Sequence, residues 1–270
     1  MSRLVSTLKN GVCTLRFNEP KKLNAWSVPM LTALHAEMER TATVSDVSSL
    51  ILTGTGKYYS AGADLASLIR LQPPRKLLNE LASKNRQLFD MFLDYPKPIF
   101  VAANGHALGA PVTSASLCDG IFAAPEASFV TPFAKLGIVP EGCSSVWFAR
   151  KMGARVAAQM LEEGRKLSAA EALEARLVDG VVDAEALLAH TQVHAEEWAV
   201  AGKPRLIDAP GVRDELKAVN ERESRELAEA FLSDRFLGAM QAFSAEKGRA
   251  QAATLFRLLR ATRPLWVRFV

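Results

Sequence analysis

Short apolar runs closed by turn residues alternate along this chain with longer stretches whose apolar residues recur every three or four positions. Val5 to Leu8 and Val12 to Phe17 flank Asn10-Gly11, a pair suited to the two positive φ angles of a type I′ hairpin. Ser27 is placed to cap a helix with Pro29 in its first turn, and Met30, Leu31, Leu34 and Met38 then form its apolar face. Ser49 to Thr53 reads as a buried strand closed by Gly54-Thr55-Gly56, with a loop from Lys57 to Asp64 behind it. After Pro73-Pro74 the pattern predicts an amphipathic helix from Arg75 to about Tyr95. Pro98 to Ala103 is a second buried strand, and the small residues from Gly105 to Ala110 are expected to turn it directly into a helix. Further strand-like pieces lie at Gly120 to Ala124, Ala127 to Thr131 and Leu177 to Val182, and Ser168 with Glu171 forms a capping box.

Beyond about Ala184 the strand pattern stops. Helical periodicity fills the remainder, interrupted at Lys203-Pro204 and Pro210-Gly211, and a last helix from Gln251 to Arg260 clusters Leu255, Phe256, Leu258 and Leu259. Buried strands alternating with helices imply an α/β core with parallel pairing. Two parts follow: a mixed core over residues 1–200 and a helical region over 201–270.

At 270 residues and 49% hydrophobic, the chain can bury a substantial core. The net charge of +4 is modest, aromatics are 7%, and the basic residues are dispersed without a Lys/Arg run, so nucleic acid is not an expected partner. Cys13, Cys118 and Cys143 show no metal-like spacing and fit a reducing compartment. No apolar run reaches membrane-spanning length, no leader is visible, and the ending Val267-Arg268-Phe269-Val270 is not of the Ser-Lys-Leu type. An intracellular protein with no membrane span is therefore expected.

One carboxylate stands out. Glu141 lies between Pro140 and Gly142 in the stretch Thr131 to Ser145, amid apolar and small residues. Poor solvation there would raise its pKa into the range of a general base, although Pro-Glu-Gly alone reads equally as a solvated turn. Two loops upstream, Ser60 to Asp64 and Asn104 to Ala110, follow buried strands and consist mainly of small residues. Such loops let a ligand approach backbone N–H groups, and two of these aimed at one oxygen make an oxyanion hole. The remaining candidates read structurally: His106 as packing, Asp64 as a cap before Leu65, Asn104 as a loop tie and Cys143 as a core thiol. His35, His190 and His194 read as surface residues.

Taken in order, Asn18 to Ala25, Ser60 to Asp64, Asn104-Gly105 and Leu177-Val178 make the chain resemble the crotonase superfamily, the fold of enoyl-CoA hydratases and isomerases. The resemblance covers most of the first two hundred residues. It implies a crotonase-like ββα superhelix with a helical C-terminal trimerisation region, assembled as a homotrimer or dimer of trimers. Carried onto this chain, the family's two oxyanion N–H groups fall on Ala61 and Ala110. Lys22, Leu23, Asn24, Ala25, Ser60, Gly62, Ala63, Asp64, Leu65, Gly109 and Phe133 would line the acyl-CoA thioester. The two glutamates that hydratases of this family use correspond to Thr113 and Phe133, neither of which is a base. The segment Thr131-Pro132-Phe133, Leu136-Gly137 and Pro140 to Ser145 instead resembles the peroxisomal type of Δ3,Δ2-enoyl-CoA isomerase, in which a glutamate matching Glu141 moves the proton. That implies an isomerase of fatty-acid β-oxidation with no cofactor beyond the CoA of its substrate, in a peroxisome, a mitochondrion or the cytosol. Hydratase or dienoyl-CoA isomerase activity, or a non-catalytic acyl-CoA-binding module, are the alternatives.

Overall fold

The computed structural model of the chain describes residues 2–65 and 72–269. Asn10 and Gly11 take φ of 49° and 78°, and strands β1 (Leu4–Lys9) and β2 (Val12–Phe17) pair antiparallel as the hairpin expected. Helix α1 (Val28–Thr43) is capped by Ser27, whose Oγ accepts from the Met30 N–H, and carries the chain back so that β3 (Ser49–Gly54) lies parallel to β2. With β5 (Ile99–Ala103), β7 (Gly120–Ala123) and β10 (Gly180–Val181) the first sheet runs in the order β1-β2-β3-β5-β7-β10. Both of its faces are covered. Leu50, Leu52 and Val101 enter the main core, while Ile51, Phe100 and Ala102 pack toward α8 (Leu187–Val200) on the other side. This is why these strands read as unbroken apolar runs.

A second sheet takes in the strand expected over Ala127 to Thr131 and, beside it, segments that read as loops. β4 (Tyr58–Ser60), β6 (His106–Leu108) and β8 (Ser128–Val130) run parallel, and β9 (Leu167–Ser168) joins β8 antiparallel. Each pass of the chain places one strand in each sheet, β3 then β4, β5 then β6, β7 then β8. This is the ββα repeat implied by the resemblance. Gly105 to Ala110 therefore does not turn straight into a helix. His106–Leu108 first fills the gap between β4 and β8, and helix α3 (Ala110–Ser116) begins only at Ala110. The strand expected over Leu177 to Val182 shortens to Gly180–Val181, because the N–H groups of Leu177 and Val178 donate back to Ala172 O.

The helices follow their sequence patterns more closely. α2 spans Pro74–Leu93, and α4 (Phe133–Leu136), α5 (Ser144–Met152) and α6 (Ala154–Leu161) follow β8. The Ser168/Glu171 capping box opens α7 (Ala169–Glu174). C-terminal to α8, α9 (Val212–Phe231) lies along α2, with Asn220 Nδ2 donating to Arg86 O and Asp90 Oδ1 at 3.0 Å each. α10 (Asp234–Glu246) and α11 (Ala250–Trp266) close a second apolar cluster with Leu77, Leu81, Phe231, Phe236 and Phe256. α11 outruns the expected Gln251 to Arg260 and takes Pro264 into its last turn. Among the described residues no helix is long and apolar enough to cross a membrane.

The segment between α8 and α9 is fastened to the first sheet by a buried ion pair that the sequence pattern did not reveal. Arg205 Nε lies 3.0 Å from Asp119 Oδ2, with side chains 1% and 0% exposed. The guanidinium also donates to the carbonyls of Phe92, Tyr95 and Leu117, and Asp119 accepts from the N–H groups of Ile99 and Leu206. Every polar atom of the pair is thus matched, but removing one partner strands the other in the core. Arg205→Met is expected to lower the unfolding free energy by about 3–5 kcal/mol in urea titrations. A loss below about 1 kcal/mol would mean that water reaches Asp119.

Candidate active site

The parallel strands β4, β6 and β8 end side by side, and the chain leaves them through Ala61 to Asp64, Gly109-Ala110 and Thr131 to Glu141. Ligand sites of parallel sheets form at such carboxyl ends. Two of the three exits touch: a Cβ added to Gly62, whose φ is +87°, would sit 2.6 Å from Leu108 O, so only glycine fits. Ser60 Oγ donates to Asn24 O at 2.8 Å and accepts from the Gly62 N–H at 3.2 Å, which fixes the turn from inside.

This turn decides which N–H groups are free. Ala61 N donates to Leu23 O at 2.9 Å, so Ala61 is not the oxyanion donor that the resemblance implied. Residues 62–64 then form a parallel bridge with Trp26, in which Trp26 N donates to Gly62 O and Asp64 N to Trp26 O. The bridge engages the groups on either side of Ala63 and leaves the Ala63 N–H without a partner among the described residues. Ala110 opens α3, where a helix leaves its first N–H groups unsatisfied, and its N–H is also unpartnered among the described residues. Among the described residues, the N–H groups of these two exits that have no partner are therefore those of Ala63 and Ala110.

Glu141 is 8% exposed, and no hydrogen bond reaches its carboxylate from the described residues. Burial pushes its pKa up to about 8, and the nearby carboxylate of Glu223 adds to the rise. Behind it the backbone turns sharply: Gly142 and Cys143 both have φ of 65°, and a Cβ on Gly142 would lie 2.4 Å from the Phe89 ring. Glu223, on α9 and 1% exposed, accepts from Cys143 N at 2.7 Å and Ser145 N at 2.9 Å. α5 is seated against α3 by Trp147 Nε1, which donates to Ser116 O at 2.7 Å. The turn that carries Glu141 leads into α5, and α5 is thus locked to α3, which Ala110 opens.

The remaining sequence candidates divide. Asn24 is fully buried, its amide donating to Thr55 O and Tyr58 O and accepting from Glu19 N, so its side chain holds the loop rather than a ligand. Leu23 is 42% exposed, and Lys22 reaches Glu19 at 3.3 Å on the surface beside it. Phe133 is buried, and Thr113 is buried with its hydroxyl donating to Ala110 O, so neither offers a base. Asp64 lies 3.7 Å from Arg249; the helix it was expected to cap falls outside the described residues. His106 Nδ1 meets Ser128 Oγ at 2.9 Å, and Asn104 joins Gly54 N to Gly56 O, both structural roles as read. Cys143 donates to Leu216 O, and burial pushes its thiol pKa up, which disqualifies it as a nucleophile. His194 is not a surface residue but packs on Phe100 and Phe122 at ring distances of 5.5 and 4.9 Å. Among the described residues no His, Cys, Asp and Glu side chains gather as a metal-ligand set.

Glu223 escaped the sequence reading although a signal existed. It falls on the buried stripe Leu216, Val219, Asn220, Glu223 and Leu227 of α9, where an acid needs a specific partner.

A model of the enoyl-CoA hydratase/isomerase family matches residues 7–251. The chain belongs to that family. Within it, Enoyl-CoA delta isomerase 2 of Homo sapiens is 34% identical over 255 residues, 91% of this chain and 64% of the relative. Enoyl-CoA delta isomerase 3, peroxisomal, of Mus musculus is 37% identical over 181 residues, 66% of this chain and 56% of that protein. The chain therefore spans less than two thirds of the length of either. A solved enoyl-CoA hydratase/isomerase structure from Pseudoalteromonas atlantica T6c superposes with a TM-score of 0.80 at 30% identity, over 91% of this chain and 98% of that one. The crotonase fold and its helical C-terminal region are thereby placed beyond the local motifs.

The raised pKa of Glu141 makes stability depend on pH. The folded chain keeps the Glu141 proton up to about pH 8, whereas the unfolded chain releases it near the ordinary 4.5. Between those values the unfolded state binds fewer protons, so the contribution of this residue falls as pH rises. Glu141→Gln is accordingly expected to gain stability over the parent by roughly 3–5 kcal/mol between about pH 5 and about pH 9. Urea unfolding at the two pH values measures the gap, and an equal gap at both would mean that Glu141 is solvated.

Proposed function

We propose that this enoyl-CoA hydratase/isomerase family member is a Δ3,Δ2-enoyl-CoA isomerase. The observation that carries the reading is a buried carboxylate with no hydrogen-bond donor among the described residues, Glu141, raised to a pKa of about 8, at a site where the resemblance puts the two hydratase acids at Thr113 and Phe133. Delta isomerases among the relatives support it.

In this reading the thioester oxygen of a 3-enoyl-CoA accepts from the N–H groups of Ala63 and Ala110. Ionised Glu141 takes a proton from C2; the C2 electron pair moves into the conjugated system, and negative charge collects on the thioester oxygen, where the two donors stabilise it. The resulting dienolate takes the same proton back at C4, leaving the double bond between C2 and C3. One base over both carbons suffices, and no water is activated. The reaction uses neither a metal nor a redox cofactor, CoA being part of the substrate. The enzyme acts in fatty-acid β-oxidation as a homotrimer or dimer of trimers, in a peroxisome or mitochondrion.

Since the reaction begins with ionised Glu141, kcat/KM for a medium-chain 3-enoyl-CoA is expected to rise with pH and level off above about 8. Glu141→Gln is expected to lower kcat by about 10²–10⁴-fold while the chain stays folded. Hydration of a 2-enoyl-CoA, assayed in parallel, is expected to be slower than isomerisation. Hydration at a comparable rate would replace the reading with a hydratase. An acyl-CoA that raises the melting temperature without any turnover would replace it with a binding module.

A further inference from the structure

Glu223 belongs to α9, an element that contributes nothing to the strand ends where the thioester is placed, yet it is among the most thoroughly buried acids of the chain. Both of its oxygens are committed to the turn that follows Glu141. Oε2 accepts from Cys143 N at 2.7 Å, and Oε1 accepts from Ser145 N at 2.9 Å. The left-handed Gly142-Cys143 pair and the first turn of α5 would otherwise leave these N–H groups without partners. A neutral side chain could meet one of them as acceptor; a carboxylate meets both and gives each bond a charge.

We propose that Glu223 is the positioning residue of this site: it holds the Glu141 backbone through the 142–145 turn and keeps a fixed negative charge beside the Glu141 carboxylate. The consequence for catalysis rests on the isomerase reading above, but the geometry does not. Burial raises the pKa of Glu223, and the Ser145 and Cys143 N–H groups, with Arg222 on its own helix, work against that rise; Glu141 has no such donors, so of the two acids Glu223 is the better placed to carry the charge. Glu141 has no donor among the described residues, and the Glu223 charge opposes its ionisation, so the shared environment sends the proton to Glu141. Environments that push two acids apart in this way assign the base.

The other charged groups around the pair are few. On α2, Asp90 is held by Asn220 and lies 4.0 Å from Arg86. On α5, Arg150 is engaged by Glu215 of α9. Arg222 reaches Ser145 Oγ at 3.4 Å. The Cys143 thiol, itself pushed up by burial and by Glu223, stays neutral. Glu223 is therefore the acid whose removal Glu141 should feel most.

The test titrates the Glu141 carboxyl by ¹³C NMR in the ligand-free full chain, its resonance identified by its loss in Glu141→Gln, with kcat/KM-against-pH profiles beside it. Glu223→Gln, checked as folded by circular dichroism, is expected to move the Glu141 midpoint down by about one unit. It should also lower kcat with little change in KM. Glu223→Asp keeps the charge on a shorter arm, so the midpoint should stay in place while kcat falls. A merely structural role would lower the melting temperature of both variants without moving the midpoint, and an unmoved midpoint in folded Glu223→Gln overturns the proposal. If the Gln variant does not fold, unchanged kcat in Glu223→Asp overturns it instead. Should the parent chain turn over no 3-enoyl-CoA while the midpoint still moves, the isomerase reading falls and the positioning role stands.

Discussion

A carboxylate buried without a hydrogen-bond donor is the constraint on which the rest of this molecule depends. Such a group gains nothing from its surroundings when charged, and local sequence cannot hold it in place, because the turn behind it is one that side chains rarely adopt. Three contacts from distant parts of the chain hold that turn. Phe89 of α2 leaves room only for a hydrogen at Gly142, Glu223 of α9 takes the N–H groups of Cys143 and Ser145, and Trp147 seats α5 on α3 through Ser116 O. The basicity of Glu141 is thus a property of the assembled fold rather than of the Pro-Glu-Gly triplet.

The ββα repeat supplies the other half of the site by a simple geometric rule. Each pass contributes a short strand to the second sheet; the first N–H beyond the strand is still taken, that of Ala61 by Leu23 O and that of Gly109 by Val130 O, and the N–H groups without a partner among the described residues follow at Ala63 and Ala110. Asn104 stitches the first pass to the second through Gly54 and Gly56, and Ser60 closes the first exit onto Asn24. These ties fix the first two passes against each other on the side where both exits leave the sheet. The C-terminal region is part of the same arrangement, since Ile207, Leu216 and Val219 enter the main core and Arg205 completes the hydrogen bonding of Asp119 at the edge of β5 and β7.

What was legible in the sequence follows from period length. The hairpin at Asn10-Gly11, the Ser27 cap, the Ser168/Glu171 box and the long helices all carry several residues of consistent pattern, and they stand where the pattern put them. β8 was legible within Ala127 to Thr131, but β4 and β6 have three residues each, too few for alternation to show, and read as loops. The choice between Ala61 and Ala63 turns on a single bridge to Trp26, a contact across more than thirty positions that no local signal reports. Glu141 was legible because its neighbours are apolar. Glu223 was half legible: the helical stripe marked it as buried, but nothing marked what it would grip.

In the isomerase reading proposed above, these constraints favour moving a proton within one substrate over adding water to it. Hydration needs a base for the water and an acid for the carbon, and these must be in different protonation states at the same moment. Here the positions that would hold the pair carry an apolar ring and a hydroxyl already donating to Ala110 O. The second buried acid cannot stand in for them, because both of its oxygens are tied to backbone N–H groups facing away from proton exchange. A lone carboxylate with a pKa of about 8 has a different capability. It is basic enough to take a proton from a carbon acidified by two oxyanion donors, and its acid form is poised to give that proton back at a second carbon. Poor solvation serves both steps, since it strengthens the base and keeps water from carrying the proton away before the transposition is complete.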